Sequence, residues 1–313
     1  MEKIEQESVK QENIKSAENL NFINTIKNDI GDTFPFLSDE EREVFLRKFD
    51  SLLEDDENTP NTNELVKKIQ QIISTLKNSH ADLKENLPKI KSDSEKGPER
   101  KQKPVESMML SNNIGYLKIL SWSNHVKVDD KNVAELVEEE LNKLTESESI
   151  IIDVRENGGG NSNLAESLAR HFIDKKIQFC TVLRKKSDST ELVEEAFNIE
   201  PGETYLDKKV VILTDSKCLS SNEMFILMLK DTGKAITIGQ TTGGGSGNPK
   251  AFSLHLGDKE FTLRVSTWRM YRNDGQSLEG VGIEPDIPIA VIPDNNGNRD
   301  VVLEKAQEYL KNI

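Results

Sequence analysis

Two short apolar runs, SIIIDV (149–154) and KKVVILTD (208–215), strongly limit what this chain can fold into. Each is rich in β-branched residues, and each is followed by a turn and then by apolar residues at helical spacing. A strand that is apolar at nearly every position is buried on both faces, which is typical of a parallel sheet covered by helices. The two strand–turn–helix units therefore predict an α/β fold.

The rest of the chain divides into three parts. Residues 1–85 carry amphipathic patterns, one of them opened by a capping box at Ser38 and Glu41, and they predict an N-terminal helical bundle. Residues 86–110 are rich in charge and contain three prolines, so they are predicted to form a charged linker. Residues 111–313 alternate strand and helix patterns and are predicted to form the α/β core.

Composition excludes several classes of function. The formal net charge of −14 disfavours nucleic acid and anionic membranes as partners. Cys180 and Cys218 make neither a disulfide framework nor a zinc spacing, and no metal or cofactor is expected. No stretch reaches the roughly 18 apolar residues that a membrane span needs.

Location and assembly are only weakly indicated by the sequence. The first residues lack the apolar segment of a signal peptide, so the chain as given is expected to be cytoplasmic. It would be extracytoplasmic if a leader had been trimmed from it. Its oligomeric state stays open.

Ser220 lies in the run CLSSNEMF (218–225), at the junction of a predicted strand and a predicted helix. A serine there is held at a helix N-terminus, where backbone N–H groups and the helix dipole stabilise an oxyanion. A second turn of this kind contains Gly158, Gly159 and Gly160. Glycines let the backbone approach a ligand closely, but the same run is equally compatible with a simple tight turn.

A hydrolytic serine also needs a base, and the chain has four histidines: His80, His125, His171 and His255. His80 follows a long amphipathic helical pattern at a point where the chain must turn. A histidine at a helix end is often only a capping group, so the pattern leaves both roles open.

Five segments, in this order, resemble the tail-specific or carboxy-terminal processing serine peptidases of family S41. They are IGYLKI (114–119), IIDVRENGGGN (151–161), VVILTDSKCLSSNEMF (210–225), AITIGQTTGGGSG (235–247) and EGVGIEPDI (279–287). The resemblance implies a crotonase/ClpP-like sheet-and-helix core. It identifies Ser220, three residues before Glu223, as the nucleophile. It also implies an oxyanion hole made by the N–H group of Ser221 with that of Gly158 or Gly159.

The chain departs from one branch of that family, whose general base is a lysine. Gly245 stands about where that lysine would fall. The sequence instead resembles the branch that contains the tricorn core, retinoid-binding modules and nisin-resistance proteins. In that branch a histidine from the N-terminal helical part is the base, which implies His80, and a glutamate before G-V-x-P-D implies Glu279. No room is left for the peptide-binding PDZ module that many relatives carry.

The resemblance implies a serine peptidase with a Ser220–His80–Glu279 triad. Its expected substrates are peptides or unfolded proteins, cut near the C-terminus. Two alternatives remain: a catalytically dead module that binds an apolar ligand on the same scaffold, and a crotonase-like acyl-CoA enzyme.

Overall fold

The computed structural model describes residues 2–52, 61–87, 103–187, 189–290 and 299–313, with side chains described from residue 17 onward. The chain forms two compact units, both discontinuous in sequence. The helix-rich unit comprises Met1–Glu95, Leu183–Val193 and Gly247–Arg269. The sheet unit comprises Lys96–Val182, Glu194–Ser246 and Met270–Ile313.

The described ranges contain helices that come first as a group and later alternate with strands. The helices are α1 (Glu2–Thr33), α2 (Asp39–Asp50), α3 (Thr62–Ser74), α4 (Val133–Asn142), α5 (Ser162–Arg170), α6 (Ser221–Lys230) and α7 (Val301–Lys311). None of them is long and apolar enough to cross a bilayer.

The strands pair into several sheets. They are β1 (Asp82–Glu85), β2 (Val105–Leu110), β3 (Ile114–Ile119), β4 (Lys127–Val128), β5 (Lys131–Asn132), β6 (Ser149–Asp153), β7 (Ile177–Lys185), β8 (Leu192–Ile199), β9 (Lys209–Thr214), β10 (Ala235–Gly239), β11 (Lys250–Leu256), β12 (Lys259–Val265), β13 (Trp268–Arg272) and β14 (Ile287–Pro288).

The sheet unit is built on a six-stranded sheet with the order β14–β10–β9–β6–β3–β2. All neighbours are parallel except the edge pair β2 and β3. Strands β6 and β9 are adjacent, with Asp153 opposite Leu213 at their carboxyl ends. The turns that follow β6 and β9 therefore lie side by side at the carboxyl edge of the sheet, which is where ligands bind to parallel sheets.

Helices cover this sheet, which explains why β6 is buried at every position. Helix α7 packs Val302, Ala306 and Leu310 onto side chains that include Val211 and Leu213. The predicted α/β class, with helices preceding the sheet, is confirmed.

The helix-rich unit encloses its own core. Apolar residues of α1, α2 and α3 pack with those of the antiparallel sheet β1–β12–β11. Ser38 caps α2 by accepting a hydrogen bond from the Glu41 N–H group at 3.0 Å, as half of a capping box would. Glu41 itself accepts from the Leu37 N–H group instead of that of Ser38.

The continuous domains predicted at 1–85 and 111–313 differ from these units. The reason is that β11 and β12, near residues 250–265, complete the core of the N-terminal helices. Most of the predicted linker 86–110 lies outside the described residues, and its last six residues form β2.

Replacing Ile151, which is fully buried in β6, with alanine is expected to lower the free energy of unfolding by about 2–5 kcal/mol, because the side chain leaves a cavity. Urea denaturation followed by circular dichroism measures the change. Leu37→Ala is the control, since Leu37 is 52% exposed and its loss should change stability by only about 0.5 kcal/mol. Equal losses in the two variants would contradict the assigned burial.

Candidate active site

Ser220 occupies the turn between β9 and α6 and has an unusual backbone conformation, with φ 60° and ψ −130°. Positive φ is uncommon for a residue with a side chain, and it persists only where the surroundings enforce it. Here the Ser220 N–H group donates to the Gly245 carbonyl oxygen at 2.6 Å. The half-buried serine is therefore held in a strained turn directly before a helix.

The glycine turn after β6 lies against this serine. A Cβ atom added to Gly159 would stand 2.7 Å from the Leu219 carbonyl oxygen and 2.8 Å from the Ser220 Cβ atom. Gly159 also has φ +97°, so only glycine fits this close approach. Gly158 is exposed, with open space around the position that a Cβ would take.

The backbone donors of the predicted oxyanion hole differ in their present hydrogen bonds. The Gly159 N–H group donates to the Asn157 Oδ1 atom at 2.9 Å. The Ser221 N–H group is at the first position of α6, where no intrahelical acceptor exists. The Gly159 N–H group is thus engaged within its own turn, whereas that of Ser221 has no acceptor inside its helix.

Ser221 is itself almost completely buried, at 3% exposure. Within the described part of the chain its Oγ atom has no hydrogen-bond partner. This hydroxyl points away from solvent, so it is a poor nucleophile, in agreement with the choice of Ser220.

Asn222 links the start of α6, next to Ser220, to the glycine turn that follows β6. Its amide nitrogen donates to the carbonyl oxygens of Val154 and Asn157, both at 3.0 Å. Its amide oxygen accepts from the Trp122 indole N–H group at 3.0 Å. Asn222 is fully buried and bonded at both ends of its amide, so it fixes the spacing between the two turns.

Glu223 ties the same helix to the glycine-rich loop 241–247. One carboxylate oxygen accepts from the Thr242 hydroxyl and from the Gly244 N–H group, and the other accepts from the N–H groups of Gly245 and Ser220. Burial raises the pKa of Glu223 above its ordinary value, and these four hydrogen bonds only partly oppose the rise. A carboxylate with four donors at its two oxygens is well suited to a buried position.

A second buried network supports the start of the glycine turn. Asp153, at the end of β6, accepts two hydrogen bonds from the Arg155 guanidinium at 2.8 and 2.5 Å, one from the Arg155 backbone N–H group at 3.1 Å and one from the Tyr116 hydroxyl at 2.7 Å. Arg155 also forms a bidentate pair with Asp300, which caps α7. These contacts connect helix α7 to the turn that carries Gly158 and Gly159.

The segment that carries Glu279 is attached to the glycine-rich loop, because the Gly280 N–H group donates to the Gly244 carbonyl oxygen at 2.8 Å. The Glu279 carboxylate accepts from the Met270 N–H group at 3.0 and 3.1 Å and contacts the Ser277 hydroxyl at 3.3 Å. Ser220, Ser221, Gly158, Gly159 and Glu279 thus belong to the sheet unit.

His80 belongs to the helix-rich unit and lies in a turn between α3 and β1. Asn78 fixes this turn: its Oδ1 atom accepts from the His80 N–H group at 2.9 Å and from the Ser266 hydroxyl at 2.6 Å. The Ser79 hydroxyl is 3.2 Å from the His80 Nδ1 atom. The pairing of His80 with Ser220 and Glu279 stays a prediction.

The imidazole of His80 is kept neutral. Burial, together with the nearby Arg264 guanidinium, lowers its pKa from 6.5 to about 4, and Asp82 opposes this shift only partly. A neutral imidazole at pH 7 has a free acceptor nitrogen, which a general base requires.

Sequence reasoning did not assign roles to Asn222 or Asn157, and it used Glu223 only as a marker of the motif. The sequence did contain a sign of these roles, since the polar residues Asn222 and Glu223 stand at the start of an otherwise apolar helix. Polar groups that are buried in a helix need specific partners. The identity of those partners, in two different loops, was not readable from spacing.

Comparison with known proteins identifies the family of this site. The model of "Peptidase family S41" matches residues 113–289, which include both turns and the loop 241–247. The carboxy-terminal-processing protease of Bartonella bacilliformis is 26% identical over 195 residues, covering 62% of this chain and 43% of the relative. Carboxy-terminal processing protease CtpB of Bacillus subtilis is 25% identical over 223 residues, covering 68% and 43%. The chain therefore matches less than half the length of these relatives.

Solved structures show the same fold. A protein from Parabacteroides merdae is 21% identical and has a TM-score of 0.71, covering 94% of this chain and 96% of its own. A lipoprotein from Streptococcus agalactiae has a TM-score of 0.62 at 18% identity, with the same coverage. The tricorn protease also reaches 0.62 at 14% identity, over 94% of this chain and 36% of its own.

Asn222→Ala should lower the free energy of unfolding by about 2 kcal/mol, because it leaves the buried indole N–H group of Trp122 without an acceptor. Chemical denaturation measures this loss. Asn198→Ala is the matched control, since Asn198 is exposed and its side-chain amide donates to the nearby Ala196 carbonyl oxygen at 3.2 Å. A loss no larger than that of the control would show that the amide does not hold the two turns.

The lowered pKa of His80 predicts a pH dependence of stability. The unfolded chain takes up a proton near pH 6.5, while the folded chain resists it down to about pH 4. The stability that the neutral His80 allows is therefore fully present above pH 6.5, and about 3 kcal/mol of it is lost as the pH falls to 4.

Urea denaturation of wild type and His80→Gln between pH 7 and pH 4 tests this. The wild type should lose more stability than the variant over that interval, because glutamine does not titrate. If the free energies of unfolding of the two proteins change with pH in parallel, His80 has an ordinary pKa in the folded protein.

Proposed function

Because the chain belongs to peptidase family S41, we propose that it is a serine peptidase whose nucleophile is Ser220. The observation that carries this proposal is the strained turn of Ser220, bonded on one side to the glycine turn and on the other to the glycine-rich loop. Strained backbone at a serine before a helix is characteristic of sites where the hydroxyl must project towards a substrate.

In the proposed mechanism His80 removes the proton from the Ser220 hydroxyl as the oxygen attacks a peptide carbonyl carbon. His80 then gives this proton to the leaving amine, and water releases the acyl group by the reverse sequence. The lowered pKa of His80 leaves its imidazole unprotonated at neutral pH, so that a ring nitrogen can accept the serine proton, although it also makes the imidazole a weaker base. Glu279 is proposed to orient the imidazolium.

The oxyanion is proposed to bind between the N–H groups of Ser221 and Gly158, with Gly159 as the residue that permits their close approach. The positive end of α6 adds to this stabilisation. Loss of one donor of this kind typically lowers the rate by about 10²–10³-fold.

Proposed substrates are peptides or unfolded proteins, cleaved near their C-terminus. The support is the similarity to carboxy-terminal processing proteases of Bartonella bacilliformis and Bacillus subtilis. The high negative charge of the chain is compatible with cationic peptides.

Ser220→Ala is expected to lower kcat/KM for an unstructured peptide by about 10³-fold or more, since the nucleophile is removed. His80→Ala should cause a loss of similar size, and the double variant should be no worse than either alone, because the two residues act as a unit. Cleavage is followed by mass spectrometry of the products.

Ser253→Ala is the control, since Ser253 lies on an exposed position of β11. A fluorophosphonate reacts with an activated serine, so labelling of Ser220 is expected for a peptidase and not for a catalytically dead binding module. Undiminished cleavage by Ser220→Ala would end the proposal, and additive losses for the two variants would remove His80 from it.

A further inference from the structure

Strand β8 is an edge of the three-stranded sheet β13–β7–β8. Among the residues that the structure describes, β7 is the one strand that pairs with it. It has eight residues, and from Glu194 onward it belongs to the sheet unit. An edge strand presents a row of backbone N–H and C=O groups with which another extended chain can pair. Strand β8 is therefore long enough to accept a strand of several residues.

The backbone groups of Ala196 face the open side of this edge. The hairpin of β7 and β8 is closed by the Lys186 N–H group, which donates to the Glu191 carbonyl oxygen at 2.8 Å. Backbone groups alternate between the two sides of a strand, so Ala196 directs its N–H and C=O groups away from β7. In agreement, its carbonyl oxygen accepts from the exposed side-chain amide of Asn198 at 3.2 Å. An incoming strand would replace only this local hydrogen bond.

The segment that contains β8 carries charge of one sign. Residues 187–207 include seven acidic residues and no basic residue. Some of these carboxylates are paired with lysines outside the segment, as in the ion pair of Glu200 with Lys176 at 2.7 Å. Glu194 is exposed on the same face of β8 as the small side chain of Ala196. The open edge thus lies in an acidic surface with an exposed carboxylate on the strand itself.

This charge determines which kind of strand can pair there. A second copy of β8 would bring two acidic segments together, and like charges on paired strands are destabilising. A strand with lysine or arginine at every second position would instead place its cations on one face, the face of Glu194. Charge complementarity of this kind also excludes wrong partners and helps to fix the register.

Strand β8 also borders the region of the proposed nucleophile. An open groove of about 420 Å³ is lined by Ala196 and Asn198 of β8 and by Ser162 and Met224. Ser162 is the first residue of α5, and Met224 lies one turn into α6, the helix that begins after Ser220. A chain that pairs with β8 therefore lies along a groove that extends to the N-termini of these two helices.

We propose that the open edge of β8 binds an extended peptide with basic residues at alternate positions, as an additional strand of the sheet. Backbone hydrogen bonds supply affinity, and Glu194 with its acidic surroundings supplies the preference for basic side chains. The binding itself needs no catalysis. As a surface that holds a substrate outside the cleaved bond, it rests on the proposed function and adds to it the class of peptide recognised.

The first test measures binding of labelled peptides of about ten residues to Ser220→Ala, by fluorescence anisotropy at about 0.15 M salt. A peptide of alternating lysine and valine should bind at least about tenfold more tightly than one of alternating glutamate and valine. The lysine peptide is also made with N-methyl groups on its lysines or on its valines. One of these two forms should bind at least about tenfold more weakly than the other, since only alternate residues direct N–H groups to β8. Equal binding of the two methylated forms would mean adsorption by charge alone and would overturn strand addition.

Substitutions on β8 locate the binding. Glu194→Lys should lower the affinity for the lysine peptide about fivefold, because an attraction becomes a repulsion. Glu148→Lys is the matched control, since it changes the net charge equally at an exposed position before β6. Ala196→Pro removes the N–H group on the open side, which an edge strand tolerates, and should abolish binding. Circular dichroism checks the fold. If Ala196→Pro does not fold, Glu194→Lys decides, and equal effects of Glu194→Lys and Glu148→Lys overturn the site.

Two further measurements separate the alternatives. Sedimentation should show no dimer that depends on β8, and a dimer that Ala196→Pro dissociates would make a second copy the occupant and overturn the peptide proposal. Wild-type protein should cleave a substrate that carries the lysine–valine extension with a KM about fivefold below that of the glutamate–valine form, at equal kcat. Cleavage with equal KM would overturn the substrate-holding role. Absence of any cleavage, with binding intact, would overturn only the peptidase proposal.

Discussion

The hydrogen bonds made by the first turn of α6 are the constraint on which the site depends. Asn222 reaches the turn after β6, and Glu223 reaches the loop 241–247, so one helical turn positions two segments that are distant in sequence. Both side chains are fully buried. Buried polar groups that lose a partner are costly, so these bonds favour one arrangement of the loops around Ser220 before any substrate arrives.

Gly245 shows how a departure from part of the family fits into this arrangement. The resemblance to family S41 implies that Gly245 stands about where one branch carries a lysine base. Here its N–H group donates to Glu223, and its carbonyl oxygen accepts from the Ser220 N–H group. Because Gly245 has no side chain, its contribution to the site is structural. A base must therefore come from another part of the chain, for which His80 is our proposal.

The parts of the fold with strong local patterns were predictable. The runs at 149–154 and 208–215 and the helices that follow them match β6, α5, β9 and α6 within a few residues, because buried parallel strands have a distinctive composition. The partnership of the N-terminal helices with β11 and β12 was not predictable, since pairing between distant segments leaves no local signal. The same holds for the partners of Asn222. The domain boundaries and the triad stay predictions.

Helix α7 packs onto the sheet and is also linked, through its cap residue Asp300, to the glycine turn after β6. Through Asp300 and Arg155 it is linked to Asp153, and from there to the backbone that precedes Gly158. The turn that carries Gly158 and Gly159, proposed to bind the oxyanion, is thus held in part by contacts from the last helix of the chain. Detaching this helix would break the Arg155–Asp300 pair and also expose the apolar side chains that α7 packs onto the sheet, so the glycine turn and the sheet would be affected together.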